Sequence, residues 1–335
     1  MPEISIIVPC YNEEKTIALL LEAIYQQTTP RADLEVVIAD GLSTDRTRAV
    51  IAAYQQNHPD LAVHVVDNPA RTIPSGLNTA IAAAAGEFLI RLDAHSVPAL
   101  DYVERCVADL RAGLGDNVGG VWEIQPGGKT RLARAIALAA AHPFGVGDAL
   151  YRLGAPSGPV DTVPFGAYRR GLIKKIGAYD PTLLSNEDYE FNTRIRLNGG
   201  TVYLDNGVRC GYYARATLAG LARQYARYGF WKYQMLRRYP ATLRWRQALP
   251  PLFVLGLAIL TLLAPWWNLA ALAWMGVVGL YLAVLIAGSL GLAWRRRDAF
   301  LLVGIPLAIM VMHFCWGGGF LWSIISTSWR KKDLK

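Results

Sequence analysis

Two stretches of this 335-residue chain carry no formal charge: 48 residues from Gln247 to Trp294 and 31 from Ala299 to Trp329. About 20 apolar residues suffice for a helix to cross a hydrocarbon core. Uncharged runs of this length are membrane material, and the part that precedes them must be a separate domain. The expected spans are 249–265, 269–294 and 300–325, within a transmembrane region 248–328 that ends in a basic tail, 329–335. Pro265-Trp266-Trp267-Asn268 reads as a turn at an aromatic belt.

The net charge of +8 is unevenly placed. Residues 1–214 hold 19 Lys/Arg against 24 Asp/Glu, whereas residues 215–246 hold eight Lys/Arg and no acid. Basic residues flanking apolar spans mark the cytosolic side, and such a collar attracts anionic lipid headgroups. Nucleic acid is not expected as a partner, because the basic stretch abuts membrane segments rather than forming a free basic face. Within 215–247, Leu218, Leu221, Tyr225, Tyr228, Trp231 and Met235 recur at helical spacing with arginines between them, the pattern of a helix in the membrane interface. Arg295-Arg296-Arg297 follows the second span, so the first two spans form a hairpin with both flanks in the cytosol. The third segment conflicts with the charge rule if it crosses, since Arg330, Lys331 and Lys332 would then lie outside. Three full crossings are expected, with a return at Gly317-Gly318-Gly319 as the alternative. Ile4–Val8 is too short for a signal-peptide core, so the first 200 or so residues are expected to stay in the cytosol, where they were made. Cys10, Cys106, Cys210 and Cys315 are dispersed and form no CxxC pair, which excludes a disulfide framework or a zinc site built on such pairs.

The first 100 residues alternate in period. Apolar runs at Ile4–Pro9, Leu34–Ala39, Leu61–Val66 and Glu87–Leu92 read as strands. The segments Glu13–Gln27, Thr44–Gln56 and Ser75–Ala85 read as helices. Such alternation predicts an α/β domain with a mainly parallel sheet and helices on both faces. Ligands bind such sheets at the carboxyl ends of the strands. Tyr11, Asn12 and Glu13, then Asp40, then Asp93 and His95 fall there. Helices are also expected at Pro98–Leu114, Leu132–Ala141 and Asp188–Asn198, and a strand at Val202–Leu204.

Four clusters occur in one order: Val8-Pro9-Cys10-Tyr11-Asn12-Glu13-Glu14, Asp40-Gly41-Leu42-Ser43-Thr44-Asp45-Arg46-Thr47, Asp93-Ala94-His95, and Asn186-Glu187-Asp188. Together they resemble the family 2 inverting glycosyltransferases, whose nucleotide-sugar-binding α/β domain is called GT-A. The resemblance covers roughly residues 3–235. Asp93-Ala94-His95-Ser96, Val160–Gly166 and Arg223–Gly229 look closest to bacterial exopolysaccharide glucosyltransferases of the succinoglycan type.

The resemblance implies roles for particular residues. A departing nucleoside diphosphate concentrates negative charge, which a divalent cation stabilises. Relatives usually hold that cation with Asp-x-Asp. Here Asp93 and His95 stand in its place, one carboxylate and one imidazole, suited to Mn²⁺ or Mg²⁺. The bland reading of His95 is a cap on the turn before Pro98. Asp40 would accept the imide N–H of uracil, with Pro9, Tyr11 and Glu13 around base and ribose; Gly41 stands where relatives often have a second acid. Asp45 reads better as a helix-start residue. Asp188 would be the base that deprotonates the acceptor hydroxyl, with Glu187 beside it holding the acceptor; the competing reading is an acidic helix start. Arg71 and Asn78 could meet the diphosphate, and Gly166 could be a close-approach glycine near the acceptor or a turn glycine. Gln224 and Arg227 resemble the Gln-x-x-Arg-Trp element of processive synthases, with Tyr228 replacing the tryptophan. They would reach the diphosphate or else belong to a basic lipid-facing surface.

The expected activity is transfer of a hexose, glucose by the closer resemblance, from a UDP-sugar to a polyprenyl-diphosphate-linked saccharide in exopolysaccharide or cell-surface glycan assembly. Other glycan-assembly proteins are expected partners. The alternatives are a polyprenyl-monophosphate sugar transferase, a processive synthase, and a non-catalytic sugar-nucleotide-binding membrane protein.

Overall fold

A computed structural model of the chain describes residues 2–242 and 244–332. The chain divides into two compact units, Met1–Glu123 with Ala149–Tyr212, and Ile124–Asp148 with Tyr213–Lys335. The segment Ile124–Asp148, which the sequence groups with the catalytic portion, thus clusters with the C-terminal helices.

The first unit opens with β1 (Ile4–Cys10), α1 (Ile17–Tyr25), β2 (Leu34–Asp40), α2 (Thr47–Asn57), β3 (Ala62–Asp67), α3 (Ile73–Ala83) and β4 (Phe88–Arg91). These are the expected elements, shifted by a few residues at their ends. Then follow β5 (Val97–Pro98), α4 (Tyr102–Arg111) and β6 (Asn117–Gln125). The intervening helices α5 (Arg131–Ala139) and α6 (Pro143–Val146) belong to the second unit. The first resumes with α7 (Leu150–Leu153), β7 (Gly158–Pro159), β8 (Ala167–Arg169), α8 (Arg170–Ile176), α9 (Glu187–Leu197) and β9 (Val202–Tyr213).

The strands form one sheet in the order β3-β2-β1-β4-β8-β6-β9-β5, with β7 paired to β9. The pairs among β3, β2, β1 and β4 are parallel. The expected parallel character holds for that half, while β4–β8, β6–β8 and β5–β9 are antiparallel and make the whole sheet mixed. Strands β1 and β2 are buried along their full length, as parallel strands covered on both faces must be. Alternate residues serve the two faces. Ile4, Ile6, Val8 and Cys10 pack with α1, α2 and α4, while Ile7, Val37 and Ala39 pack with Leu77 and Ala80 of α3 and Phe191 and Ile195 of α9.

The second unit holds α5, α6, α10 (Leu218–Leu236), α11 (Trp245–Leu263), α12 (Asn268–Arg296) and α13 (Leu301–Lys332). The last three are long and apolar enough to cross a membrane. Of the expected basic tail, residues 333–335 lie outside the described residues. Helix α13 runs unbroken through Gly317-Gly318-Gly319, so the chain does not turn back there. Two of those glycines serve packing. A Cβ at Gly319 would lie 2.2 Å from the Ala226 carbonyl oxygen of α10, and one at Gly317 would lie 2.6 Å from that of Pro250 of α11. From the other side, a Cβ at Gly229 of α10 would lie 1.9 Å from the Trp316 carbonyl oxygen. Gly229→Val is therefore expected to cost about 1–3 kcal/mol and to lower the thermal midpoint of the detergent-solubilised protein. Gly279→Ala, with open space around its Cβ, should leave that midpoint unchanged.

Candidate active site

Arg91, the last residue of β4, organises the carboxyl end of the sheet. Its side chain is only 2% exposed, and a buried guanidinium needs acidic partners. It has three. Nη1 donates to Asp188 Oδ1, and Nη2 donates to Glu187 Oε1 at 2.9 Å and to Asp93 Oδ1 at 3.1 Å. One guanidinium thus holds Asp93, two residues on, together with Glu187 and Asp188 from the first turn of α9. Three acids share one cation at close range. Burial pushes the Asp188 carboxyl up to about 7; Arg91 works against that shift, and Glu187 and Asp93 add to it. With its side chain one-quarter exposed, Asp188 is a carboxylate poised near neutrality, where a general base works best.

Asp93 and His95 sit on the turn that follows β4. Ser96 donates through both its backbone N–H and its hydroxyl to the Asp93 carbonyl, at 2.9 and 2.7 Å. His95 Nδ1 lies 3.1 Å from Glu13 Oε1, so the acid that follows β1 supports the imidazole. Burial works to raise the Glu13 carboxyl, but hydrogen bonds from His95 and Thr16 outweigh it and hold it below its usual range. The described residues contain no cluster of three or more His, Cys, Asp or Glu side chains able to hold a metal by themselves. An Asp/His pair on one turn fits a cation that draws its remaining ligands from water and a bound diphosphate.

The loops after β1 and β2 are laced together. The Asn12 N–H donates to Ser43 Oγ at 2.9 Å, the Thr44 N–H to Asn12 Oδ1 at 2.8 Å, and the Glu13 N–H to Thr47 Oγ1 at 2.8 Å. Asp45 accepts from the backbone N–H groups of Thr47 and Glu14, a loop-bracing role. Asp40 is fully buried. It accepts from the Ser43 N–H at 3.0 Å and from Arg48 Nε at 2.5 Å, while Arg48 also grips Asp67. A pyrimidine reaching Asp40 would have to displace Ser43 or Arg48. Tyr11 is exposed, and its ring lies against Gly41, where a Cβ would stand 3.1 Å from Tyr11 Cδ2. Pro9 is buried.

Other expected contacts are placed differently. Both ends of the Asn78 amide hold the backbone of Tyr179, at 2.8 and 2.9 Å, and Tyr179 stacks on Phe191 of α9. Asn78 therefore braces the helix that carries Asp188. Arg71 is exposed with a left-handed backbone. Gly166 is a close-approach glycine, but toward Asn117: a Cβ there would lie 2.1 Å from Asn117 Oδ1. Its carbonyl accepts from the Arg91 N–H at 3.0 Å. Gln224 and Arg227 stand on α10 in the second unit, where Gln224 donates to the Tyr228 hydroxyl at 2.9 Å.

Among the described residues, the non-glycine positions of the first unit with positive φ are Asn12, Leu42, Arg71, Phe165 and Asn186. Each lies within two residues of a site candidate or is itself one. Left-handed backbone is costly for bulky residues such as Leu42 and Phe165, and such strain gathers at working sites. Sequence reasoning missed Arg91, whose signal is an arginine inside the apolar run Phe88–Leu92.

Known proteins bear on this arrangement. The sequence profile described as "Glycosyl transferase family 2" matches residues 5–177. The succinoglycan biosynthesis protein ExoA of Rhizobium meliloti (strain 1021) is 33% identical over 319 residues, covering 94% of this chain and 93% of that protein. A Methanococcus voltae dolichyl N-acetyl-alpha-D-glucosaminyl phosphate 3-beta-D-2,3-diacetamido-2,3-dideoxy-beta-D-glucuronosyltransferase is 26% identical over 333 residues, covering 96% and 97%. Among solved structures, the mannosyltransferase PcManGT from Pyrobaculum calidifontis, in complex with GDP-Man and Mn²⁺, superposes with a TM-score of 0.62 at 23% identity, over 96% of this chain and 87% of that one. The fold is thus GT-A-like, and the family match spans the strands that carry Asp40 and Arg91 and the turn that carries Asp93 and His95. The chain belongs to glycosyl transferase family 2 and is a glycosyltransferase.

Proposed function

We propose that the chain transfers a hexose from a UDP-sugar to a saccharide carried on a polyprenyl diphosphate, at the cytosolic face of a bacterial inner membrane, in exopolysaccharide assembly. The observation that carries the reading is the Arg91 cluster, in which one buried guanidinium holds Asp188 and Glu187 together with Asp93. An acceptor built on a long lipid accounts for joining this site to apolar helices. The Methanococcus voltae relative, named for a lipid-phosphate-linked substrate, supports such an acceptor, and the Rhizobium meliloti relative supports the exopolysaccharide setting.

In the proposed mechanism Asp188 takes the proton from the acceptor hydroxyl as that oxygen attacks the anomeric carbon from the face opposite the nucleotide. Glu187 and Arg91 fix the direction of the Asp188 carboxylate, and Glu187 borders the acceptor. Asp93 and His95 would hold Mn²⁺ or Mg²⁺, which neutralises charge on the departing diphosphate when bound. Glu13 orients the His95 ring. Tyr11 offers an exposed ring to the base.

A base must be ionised to act. With the Asp188 pKa near 7, kcat/KM is expected to rise about tenfold per pH unit below neutrality and to level off above it; a pH series with saturating metal checks this. The test of the function is UDP release from a panel of UDP-sugars in membranes supplied with lipid-diphosphate saccharides, with and without Mn²⁺. Metal-dependent release that requires the acceptor establishes the transfer. Donor binding without release under any acceptor favours a non-catalytic sugar-nucleotide-binding protein.

A further inference from the structure

We infer that α13, although apolar and long enough to cross, lies along the cytosolic interface of the bilayer and does not span it, so that the chain has two crossings and a cytosolic C-terminus. The inference rests on the membrane reading of the apolar helices and is independent of the reaction catalysed.

The argument starts from what covers α13. Of its apolar window, 44% is buried within the protein, against 11% for α11 and for α12. Its first half packs on α5: Leu301, Ile305, Ala308 and Ile309 are buried with Ala135, Ile136 and Ala139, and a Cβ at Gly304 would lie 2.7 Å from Ala135 Cβ. Its second half runs alongside α10 in the same direction. Gly319 meets Ala226, Gly229 meets Trp316, Tyr233 meets Phe320, and Gln234 donates to Ser323 at 2.9 Å and to Thr327 at 2.7 Å. Helices α5 and α10 therefore share one level with α13 from Leu301 to Thr327, and α11 and α12 meet it in their basic-flanked halves, at Pro250 and at Leu285 and Ala293.

Neither α5 nor α10 can enter hydrocarbon. Helix α10 carries Arg223, Arg227 and Lys232 along its length and Arg237-Arg238 at its end, and charged side chains on a lipid-embedded helix are costly. Helix α5 is introduced by Lys129, Arg131 and Arg134, and Arg131 pairs with Asp298, just before α13. Basic residues on the cytosolic-side rule thus mark both ends of α13: Arg295–Arg297 and Arg131 at its start, and Arg237-Arg238 beside its close, followed by its own Arg330, Lys331 and Lys332. At about 1.5 Å per residue its 32 residues extend roughly 48 Å, far more than the core of about 30 Å. A true span would carry one of these basic clusters across. Lying in the interface, α13 instead presents Val303, Leu307, Phe314, Trp322 and Ile325, all exposed, to the boundary between headgroups and acyl chains. This also removes the conflict between the third apolar segment and its basic tail.

The test is sided labelling of the full-length protein with a membrane-impermeant maleimide, in spheroplasts and in inverted vesicles, using Leu334→Cys and Trp266→Cys with the unmodified protein as background. The expected result is that Leu334→Cys labels only in inverted vesicles and Trp266→Cys only in spheroplasts. Labelling of Leu334→Cys in spheroplasts makes α13 a third span and overturns the inference. Labelling of Trp266→Cys only in inverted vesicles also overturns it, because the α11–α12 hairpin would then not cross.

Discussion

Asp188→Asn is expected to lower kcat for sugar transfer by about 10²–10⁴-fold while leaving the KM for the UDP-sugar within a few-fold of the unmodified enzyme. The amide keeps the shape and can still meet Arg91, so α9 should hold its place, but it cannot take a proton. The split between kcat and KM is what a base predicts. A residue that merely braced the site would change both, because Arg91 also holds Asp93, beside the expected diphosphate site. The same substitution separates two chemistries. If the acceptor is a polyprenyl monophosphate, its attacking oxygen is already anionic, needs no strong base, and the Asn variant keeps most of its rate. If the acceptor is a sugar hydroxyl, the rate collapses. Steady-state kinetics with each acceptor class, at pH 8 where Asp188 is ionised, decide between them.

Much of this site was legible before the fold was known. Three of the four acidic or polar clusters follow apolar runs, and parallel strands buried on both faces announce themselves as runs rich in Val and Ile, as in Ile4–Val8 and Leu34–Ala39. What stayed hidden depends on partners distant in sequence. Arg91 reads as an interruption in a strand because its partners Glu187 and Asp188 lie about a hundred residues on. Asn78 reads locally as a diphosphate contact and Gly166 as a close-approach glycine near the acceptor, whereas in the fold Asn78 holds the backbone of Tyr179 and Gly166 makes room for Asn117, partners invisible to local reasoning. Strand β9 extends from Val202 to Tyr213, well past Leu204, because the strand passes straight through Asp205-Asn206-Gly207, a combination that normally signals a turn. The glycine triplet in α13 misleads for a related reason. Glycines break an isolated helix, but here the removed side chains admit the backbones of α10 and α11.

Arg91→Met is the harsher substitution, because it withdraws the shared cation and leaves the acids in place. Breaking a buried ionic cluster from one side costs about 3–5 kcal/mol, so a marked fall in the thermal midpoint is expected. The fall has a pH signature whose sign follows from Asp188. Burial already raises that carboxyl, and Arg91 is the group that pulls it back down. Without Arg91 the folded protein prefers Asp188 protonated still more strongly. Stability is then lost as pH rises through the ordinary carboxylate range toward neutrality and beyond. The midpoint difference between Arg91→Met and the unmodified protein should therefore be larger at pH 8 than at pH 5, as read by thermal unfolding in detergent. The rate profile must move with it, the rising limb of kcat/KM shifting alkaline. Arg91→Lys should recover part of the stability but not the rate. An ammonium supplies the charge, but not the planar fork that reaches two elements at once. Equal midpoint deficits at both pH values would mean that Arg91 acts through packing alone, and the electrostatic account of Asp188 would fail with it.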